Sequence, residues 1–275
     1  MPFQLDCFGV HIYMQFTSPI SQHVFLGYAL RGMLGQALFN EVCIYSKPQC
    51  SECALRMGCA YPQVFKPSEL KETHARLPAY VIHNWTLDTQ YSVRFSILIF
   101  GSAVRYLEVW LVSLLRVNGL LQLSGAEQGR IIELSDLSCS KSIMAKNQLV
   151  NQVMPMSLST DYTSSAKLTL HTLFATKHQK KDFLFAALRT RLRRLLADYG
   201  QGDWPMDIQA WQMELIKLKP GTVRVNHQRR VNGVSGYMVL QDISPEAYTL
   251  LSLGQLIHAG ADAVAGLGRF TFVRS

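Results

Sequence analysis

Between Gly9 and Phe16 the chain alternates apolar Val10, Ile12, Met14 and Phe16 with His11, Tyr13 and Gln15, the period of a half-buried strand. Ser18-Pro19 breaks that strand, and Ser21 is placed to cap a helix running to about Phe39. A cysteine-rich stretch follows, in which Pro48, Pro62 and Pro67 argue against regular structure. Arg94–Phe100 is a second strand, ended by Gly101. Ala103–Val117 has helical spacing, and Gly119–Leu123 with Gly129–Leu134 read as a strand pair. Residues 138–150 are polar and unpatterned, as expected of a domain boundary. Beyond them come an extended Val153–Leu158, a basic helix over about Asp182–Tyr199, and strands at Trp211–Leu218, Thr222–Val225 and Gly236–Leu240. Ser244-Pro245-Glu246 opens a helix to about His258, Gly260–Gly268 is a loop, and Arg269–Val273 is a closing strand.

Both halves mix helices with antiparallel strands, so the pattern predicts an α+β chain of tandem ferredoxin-like domains. The first covers 1–140 with a cysteine-rich insertion at about 40–67; the second covers 141–275 with the basic helix at about 177–199 and the glycine-rich loop at 260–268.

Composition adds a direction. Hydrophobic residues make up 48% of the 275, enough for a real core, and the net charge of +8 with a pI near 9.2 points to a polyanionic partner. No apolar run approaches the roughly 18 residues that span a bilayer. The N-terminal MPFQLDCFGV lacks a basic segment followed by an apolar one. The expectation is a cytoplasmic protein with no membrane partner, in which disulfides are not expected.

Clustered thiols then need another explanation. Cys43, Cys50, Cys53 and Cys59 form C-x6-C-x2-C-x5-C, and the two-residue gap between Cys50 and Cys53 lets both thiolates face one ion. Four soft ligands with no open position predict structural zinc, with an iron–sulfur cluster second. Reduced cysteines without metal are the plain alternative. Cys7 and Cys139 lie far from the cluster in sequence and read as ordinary buried thiols.

The basic helix carries Lys177, Lys180, Lys181, Arg189, Arg191, Arg193 and Arg194 against one acid, Asp182. A helical period puts Phe183, Ala187, Leu188, Leu192, Leu195 and Leu196 on the buried stripe. A self-stabilising surface helix would mix signs, so this face suits a line of phosphates, although a solvated face is the usual fate of a charge run. Further on, Arg229 and Arg230 follow His227 in NHQRR, and Gly260, Gly266 and Gly268 precede Arg269. Glycines allow close backbone approach to a ligand, or simply a tight turn.

The segment LGQLIHAGADAVAGLGRF, from Leu253 to Phe270, resembles the C-terminal signature of CRISPR pre-crRNA processing endoribonucleases, with the glycine-rich loop of the RAMP superfamily. GYALRGMLGQAL (Gly27–Leu38), CAYPQVFKP (Cys59–Pro67) and VNGVSGYMVL (Val231–Leu240) are similar to other segments of that family, in the same order. Length and the arginine-rich helix are also reminiscent of the variant in type IV systems. Asp262 departs from the pattern by placing an acid inside the loop, as do Ala259 and Ala265 where bulkier residues are common, and Gly119-Leu-Leu lacks a second glycine.

The resemblance implies tandem RAMP domains and cleavage of CRISPR repeat RNA without a catalytic metal. The ribose 2′-OH attacks the neighbouring phosphate, which needs a base, cations for the developing charge, and an acid for the leaving oxygen. It implies that the enzyme can stay on its crRNA among effector-complex subunits in antiviral defence. His23, at the start of the first helix, matches a family position for the base; Arg31 matches the family's LRG and His258 directly precedes the glycine loop. A non-catalytic crRNA-binding subunit of an effector complex is the second reading. A zinc-stabilised DNA-binding regulator is disfavoured, because all four thiols lie in one loop and no helix-turn-helix or finger spacing is present.

Overall fold

The structure, a computed structural model, describes residues 4–21, 25–45, 49–70, 76–156, 162–175, 183–203, 211–225 and 229–274. Its elements are β1 (Cys7–Gln15), α1 (Leu26–Val42), α2 (Ala60–Val64), β2 (Tyr80–Thr89), β3 (Ser92–Phe100), α3 (Leu107–Arg116), β4 (Leu121–Leu123), β5 (Ala126–Asp136), β6 (Met144–Ala145), β7 (Gln148–Leu149), β8 (Ala166–Phe174), α4 (Phe183–Tyr199), β9 (Gln212–Arg224), β10 (Arg230–Gln241), α5 (Pro245–Ile257) and β11 (Phe270–Arg274). One antiparallel sheet has the order β2-β3-β1-β5-β4 and a second has the order β11-β8-β10-β9. Each follows β-α-β-β-α-β with its first strand central, the ferredoxin-like arrangement, so the chain folds as the tandem pair that its pattern predicts.

The period-2 reading of β1 is exact in register: Val10, Ile12 and Met14 are buried, and β1 pairs with β3 and β5 on its two sides. Helix α1 buries Leu26, Leu30, Met33, Leu34, Ala37 and Leu38, a stripe at helical spacing. Ser21 is not its cap. The Ser21 backbone N–H donates to Ser124 O (3.0 Å), which ties Ser21 to the β4–β5 turn, and the helix starts at Leu26 with no side-chain cap. Pro62 lies inside α2 rather than excluding it, since a proline in the first turn has no intrahelical N–H to lose. A 3-10 turn at Gly101–Tyr106 precedes α3, where one helix was expected. Residues 138–150 contain the small β6–β7 hairpin. The two strands expected around Pro220 are one strand, β9, because at a sheet edge a proline need not donate to a ladder.

Strands β2 and β8 break period 2 and carry no clean sequence signal. In β2 the register with β3 shifts between Ile82 and Asn84, so His83 is an extra, unpaired residue. In β8 the residues His171, Thr172 and Leu173 lie opposite the single residue Ser235 of β10. Such bulges re-aim side chains out of the alternation.

The two units share one core. Val10, Leu30, Phe95 and Trp110 of the first belong to the same buried cluster as Leu168, Leu188, Leu192 and Leu250 of the second. Burial of each such large side chain stabilises by about 1.5–3 kcal/mol. The seam is tight at Gly27 of α1, where an added Cβ would lie 1.9 Å from the carbonyl oxygen of Ala265. Gly27→Ala is expected to lower stability by about 1–3 kcal/mol through overpacking of that seam. Gly32→Ala, on the same helix with nothing within 4 Å of its added Cβ, is expected to be neutral or to stabilise by up to about 1 kcal/mol. Denaturant midpoints of the two variants check both; equal effects would show that the seam is not the constraint.

Candidate functional site

The loop between α5 and β11 sits at the seam. It leaves α5 at His258 (φ 59°), passes Asp262 in a left-handed conformation, and makes a short 3-10 turn at Ala263–Ala265. At Gly266 (φ 86°) an added Cβ would lie 2.3 Å from the Trp85 ring of β2, so only glycine lets the loop close on the first unit. Here the conformational freedom serves contact between the protein's own parts. Gly268 N donates to Leu173 O (2.9 Å), and Gly260 packs beside Phe174. Thr172 staples the loop to β8, its hydroxyl donating to Gly266 O and accepting from Arg269 N, each at 2.8 Å.

This closure fixes Arg269. Its Nη1 donates to Asn84 Oδ1 (2.7 Å), its Nε is buried without a partner, and burial lowers its pKa. Three imidazoles feel its charge: His83, His171 and His258. His258 is fully buried, with Nε2 3.2 Å from Nδ1 of His83. Burial holds its pKa well below the ordinary value, reinforced by the charges of His83, Arg191 and Arg269. Burial and then Arg269 push His83 down to about 4. The two rings form a neutral pair sharing one N–H, with His258 sealed from solvent and His83 half-buried.

The surface in front holds two pockets. The first, about 460 Å³, lies at the β8 register break and is lined by Phe25, Trp85, His171, Thr172, Ser235 and Arg269, with the β9 residues Gly221–Val223. His171 is exposed, its Nε2 lies 2.7 Å from Thr271 Oγ1, and burial and Arg269 lower its pKa. The second pocket, about 410 Å³, is lined on its polar side by Tyr28, Arg31, Gln36, Lys66 and Arg229. Arg31 Nε donates to Tyr80 Oη (3.2 Å). Arg229 Nη2 donates to Asp262 Oδ2 (2.8 Å), so the loop's acid is neutralised by a cation of the expected set. An aromatic run joins the pockets: Phe25 packs edge-on against Trp85 (4.8 Å between centroids) and Tyr28 (5.8 Å).

The structure therefore brings Arg31 and Arg229 into one pocket and Arg269 into its neighbour, while His258 is buried and lines neither. Arg230 is exposed on β10. On α4, Arg193 and Arg194 face out and Arg189 lies over the Phe185 ring (5.7 Å). Arg191 differs from the expected outer face. It falls between Leu188 and Leu195 on the buried stripe, and its Nε donates to Ile257 O (2.6 Å) at the end of α5. His23, Lys177, Lys180, Lys181 and His227 lie outside the described residues. His83 and His171 escaped the sequence reading; both stand at β-bulges.

Cys7 is buried as expected, whereas Cys139 is exposed; Cys43, Cys50, Cys53 and Cys59 line one largely apolar pocket of about 500 Å³. Burial raises the Cys50 and Cys59 thiols, and neighbouring cysteines add to it. Among the described residues no three His, Cys, Asp or Glu side chains are already gathered as a metal cage. The donor set suits a soft tetrahedral ion once the thiols draw together. No helix among the described residues is long and apolar enough to cross a membrane.

Residues 5–154 match the family AF_1859_N, an N-terminal domain. An uncharacterized protein of Archaeoglobus fulgidus is 23% identical over 265 residues, covering 90% of this chain and 91% of that protein. Among solved structures, a Cas6 product complex aligns with a TM-score of 0.59 at 12% identity, over 98% of this chain and 99% of that one. A chain of a partial Cas6-RT-Cas1–Cas2 complex aligns with a TM-score of 0.56 at 13% identity, over all of this chain and 47% of that one. The fold is that of these Cas6 structures.

The neutral histidine pair has a consequence for stability. The folded pKa of His83 lies below its ordinary 6.5, at about 4. The unfolded chain therefore binds protons first, and the stability contributed by the neutral ring is present above pH 6.5 and lost as pH falls towards 4. Denaturant midpoints should fall over that window in the wild type and fall less in His83→Gln. Parallel curves for the two proteins would rule out a buried neutral His83.

Proposed function

We propose that this chain, which belongs to the AF_1859_N family, binds CRISPR repeat RNA across the α1 seam and cuts it by attack of a ribose 2′-OH. The observation that carries this is the aromatic run Trp85–Phe25–Tyr28 between two pockets that hold Arg269 on one side and Arg31, Lys66 and Arg229 on the other. Unstacked RNA bases pack on aromatic faces while phosphates meet cations, and single-stranded RNA offers both along its length. The likeness of the fold to a Cas6 product complex supports the same reading. In it, Arg31 meets a phosphate, Arg189, Arg193, Arg194 and Arg230 extend the basic surface, and the protein acts in the cytoplasm, alone or with effector subunits.

The cut needs no metal. An in-line 2′-oxygen forms a bond to phosphorus, the bond to the 5′-oxygen breaks, and a 2′,3′-cyclic phosphate remains. Guanidinium groups stabilise the charge that develops on the phosphoryl oxygens. One observation favours a non-cutting crRNA-binding subunit instead: His258 is sealed from solvent and cannot touch RNA.

One experiment separates the readings. The full chain is incubated with end-labelled repeat RNAs in EDTA, with and without 2′-deoxy substitution at the mapped cut. A single cut that the deoxy substitution abolishes is expected. Binding without a cut leaves the subunit reading, and no binding removes both. Trp85→Ala is expected to weaken binding by about 1–3 kcal/mol, the value of one stacked base.

A structural zinc ion is part of the proposal, held by Cys43, Cys50, Cys53 and Cys59, and its role is to close the insertion loop. Purified protein should carry about one zinc per chain, and Cys50→Ser with Cys53→Ser should lose it and lower Tm. Metal-free protein whose Tm ignores chelator would remove the ion from the account.

A further inference from the structure

Eight histidines occur in the chain, and the described ones differ sharply in what they can reach. His11 of β1 is hydrogen-bonded to Ser96 of β3 (3.0 Å) and lines neither of the two pockets at the seam. His83 and His258 form the neutral pair behind the seam. Of the two pockets at the seam, the first is lined by His171, which shares it with Arg269, Ser235, Thr172, Phe25 and Trp85, and the second by no histidine. We propose that His171 is the general base of the cut and that the Arg269 pocket holds the scissile phosphate; this rests on the endoribonuclease reading above.

The geometry supports the assignment in three ways. First, the β8 bulge sets His171, Thr172 and Leu173 opposite Ser235, which opens the cleft where a regular ladder would close it. Second, the ring is oriented. Its backbone N–H donates to Arg269 O (2.9 Å), and its Nε2 lies 2.7 Å from Thr271 Oγ1, which leaves Nδ1 as the nitrogen without a protein partner. Third, Asn84 holds the Arg269 guanidinium and Thr172 holds the Arg269 backbone N–H, and Arg269 lines the same pocket as the imidazole. Burial, and after it the same charge, lower the ring's pKa, the direction that favours the neutral state a base requires.

The step balances without a further reactant. Nδ1 of His171 takes the 2′-OH proton as the 2′-oxygen bonds to phosphorus. The 5′-oxygen leaves and takes a proton from solvent water, and the imidazolium returns its proton to solvent. Arg269 faces the phosphoryl charge in between. A base one stacked nucleotide away rests on Trp85 and Phe25.

The test uses single-turnover cleavage of a repeat RNA by saturating protein, with Kd measured on the 2′-deoxy RNA. His171→Ala and His171→Gln should each slow the cut by at least about 100-fold, with Kd within about threefold of wild type. Imidazole in the buffer should restore part of the rate to His171→Ala. With RNA carrying sulfur in place of the leaving 5′-oxygen, the His171→Ala defect should persist, because a thiolate leaves without an acid but the 2′-OH still needs a base. The assignment is overturned if either variant cuts at the wild-type rate, if rate and binding fall together, or if the thio substrate erases the defect. If the wild type cuts no repeat RNA, the endoribonuclease reading itself fails and takes this assignment with it. His171 is exposed, so thermal melts matching wild type are expected for both variants.

Discussion

The close approach of the α5–β11 loop to α1 and β2 is the constraint on which the rest of the architecture depends. Ala265 presents its carbonyl to Gly27 at a distance that excludes any side chain, and Gly266 receives the Trp85 ring in the same way. Through these contacts two ferredoxin-like units become one body with one core. Arg269 reaches Asn84 of the first unit only because the loop is closed, and Asp262 reaches Arg229 for the same reason. Each hydrogen bond contributes about 1 kcal/mol net. Their joint effect is geometric: they hold an imidazole, a guanidinium and an aromatic run within one surface.

Electrostatics follow from that closure. Two arginines bracket the loop: Arg191 donates to Ile257 O at its entry, and Arg269 stands at its exit. Both are held below their ordinary pKa by burial. A cation at the C-terminus of α5 also meets the negative end of that helix. Burial first, and then neighbouring charge, lowers the pKa of His83 and His258, and the two guanidinium groups supply positive charge on either side of the loop.

Much of this was legible along the chain. Alternation marked β1, helical spacing marked α1 and α4, and Ser244-Pro245 marked the start of α5, where Ser244 Oγ accepts from Ala247 N (3.1 Å). The order of elements was enough for tandem ferredoxin-like units. Arg31, Arg229 and Arg269 were named from sequence and now line neighbouring pockets. What escaped has a common cause. Period-2 patterning fails where a bulge inserts residues, and β2 and β8 are bulged at His83 and at His171–Leu173. The local irregularity that hid both strands also aims their histidines. Arg191 escaped differently: a charge run read as one face ignored that its spacing from Leu188 and Leu195 puts it on the apolar stripe.

The loop at the seam also orders events in time. Gly27 and Ala265 lie near opposite ends of the sequence, so their contact closes almost the whole chain into a single loop, and such contacts form late. Each ferredoxin-like unit can gather its own sheet from nearer neighbours first. The first unit then carries the edge of Trp85 that meets Gly266 uncovered until residues 259–268 arrive, and an aromatic surface that waits for its partner is exposed to premature association during synthesis.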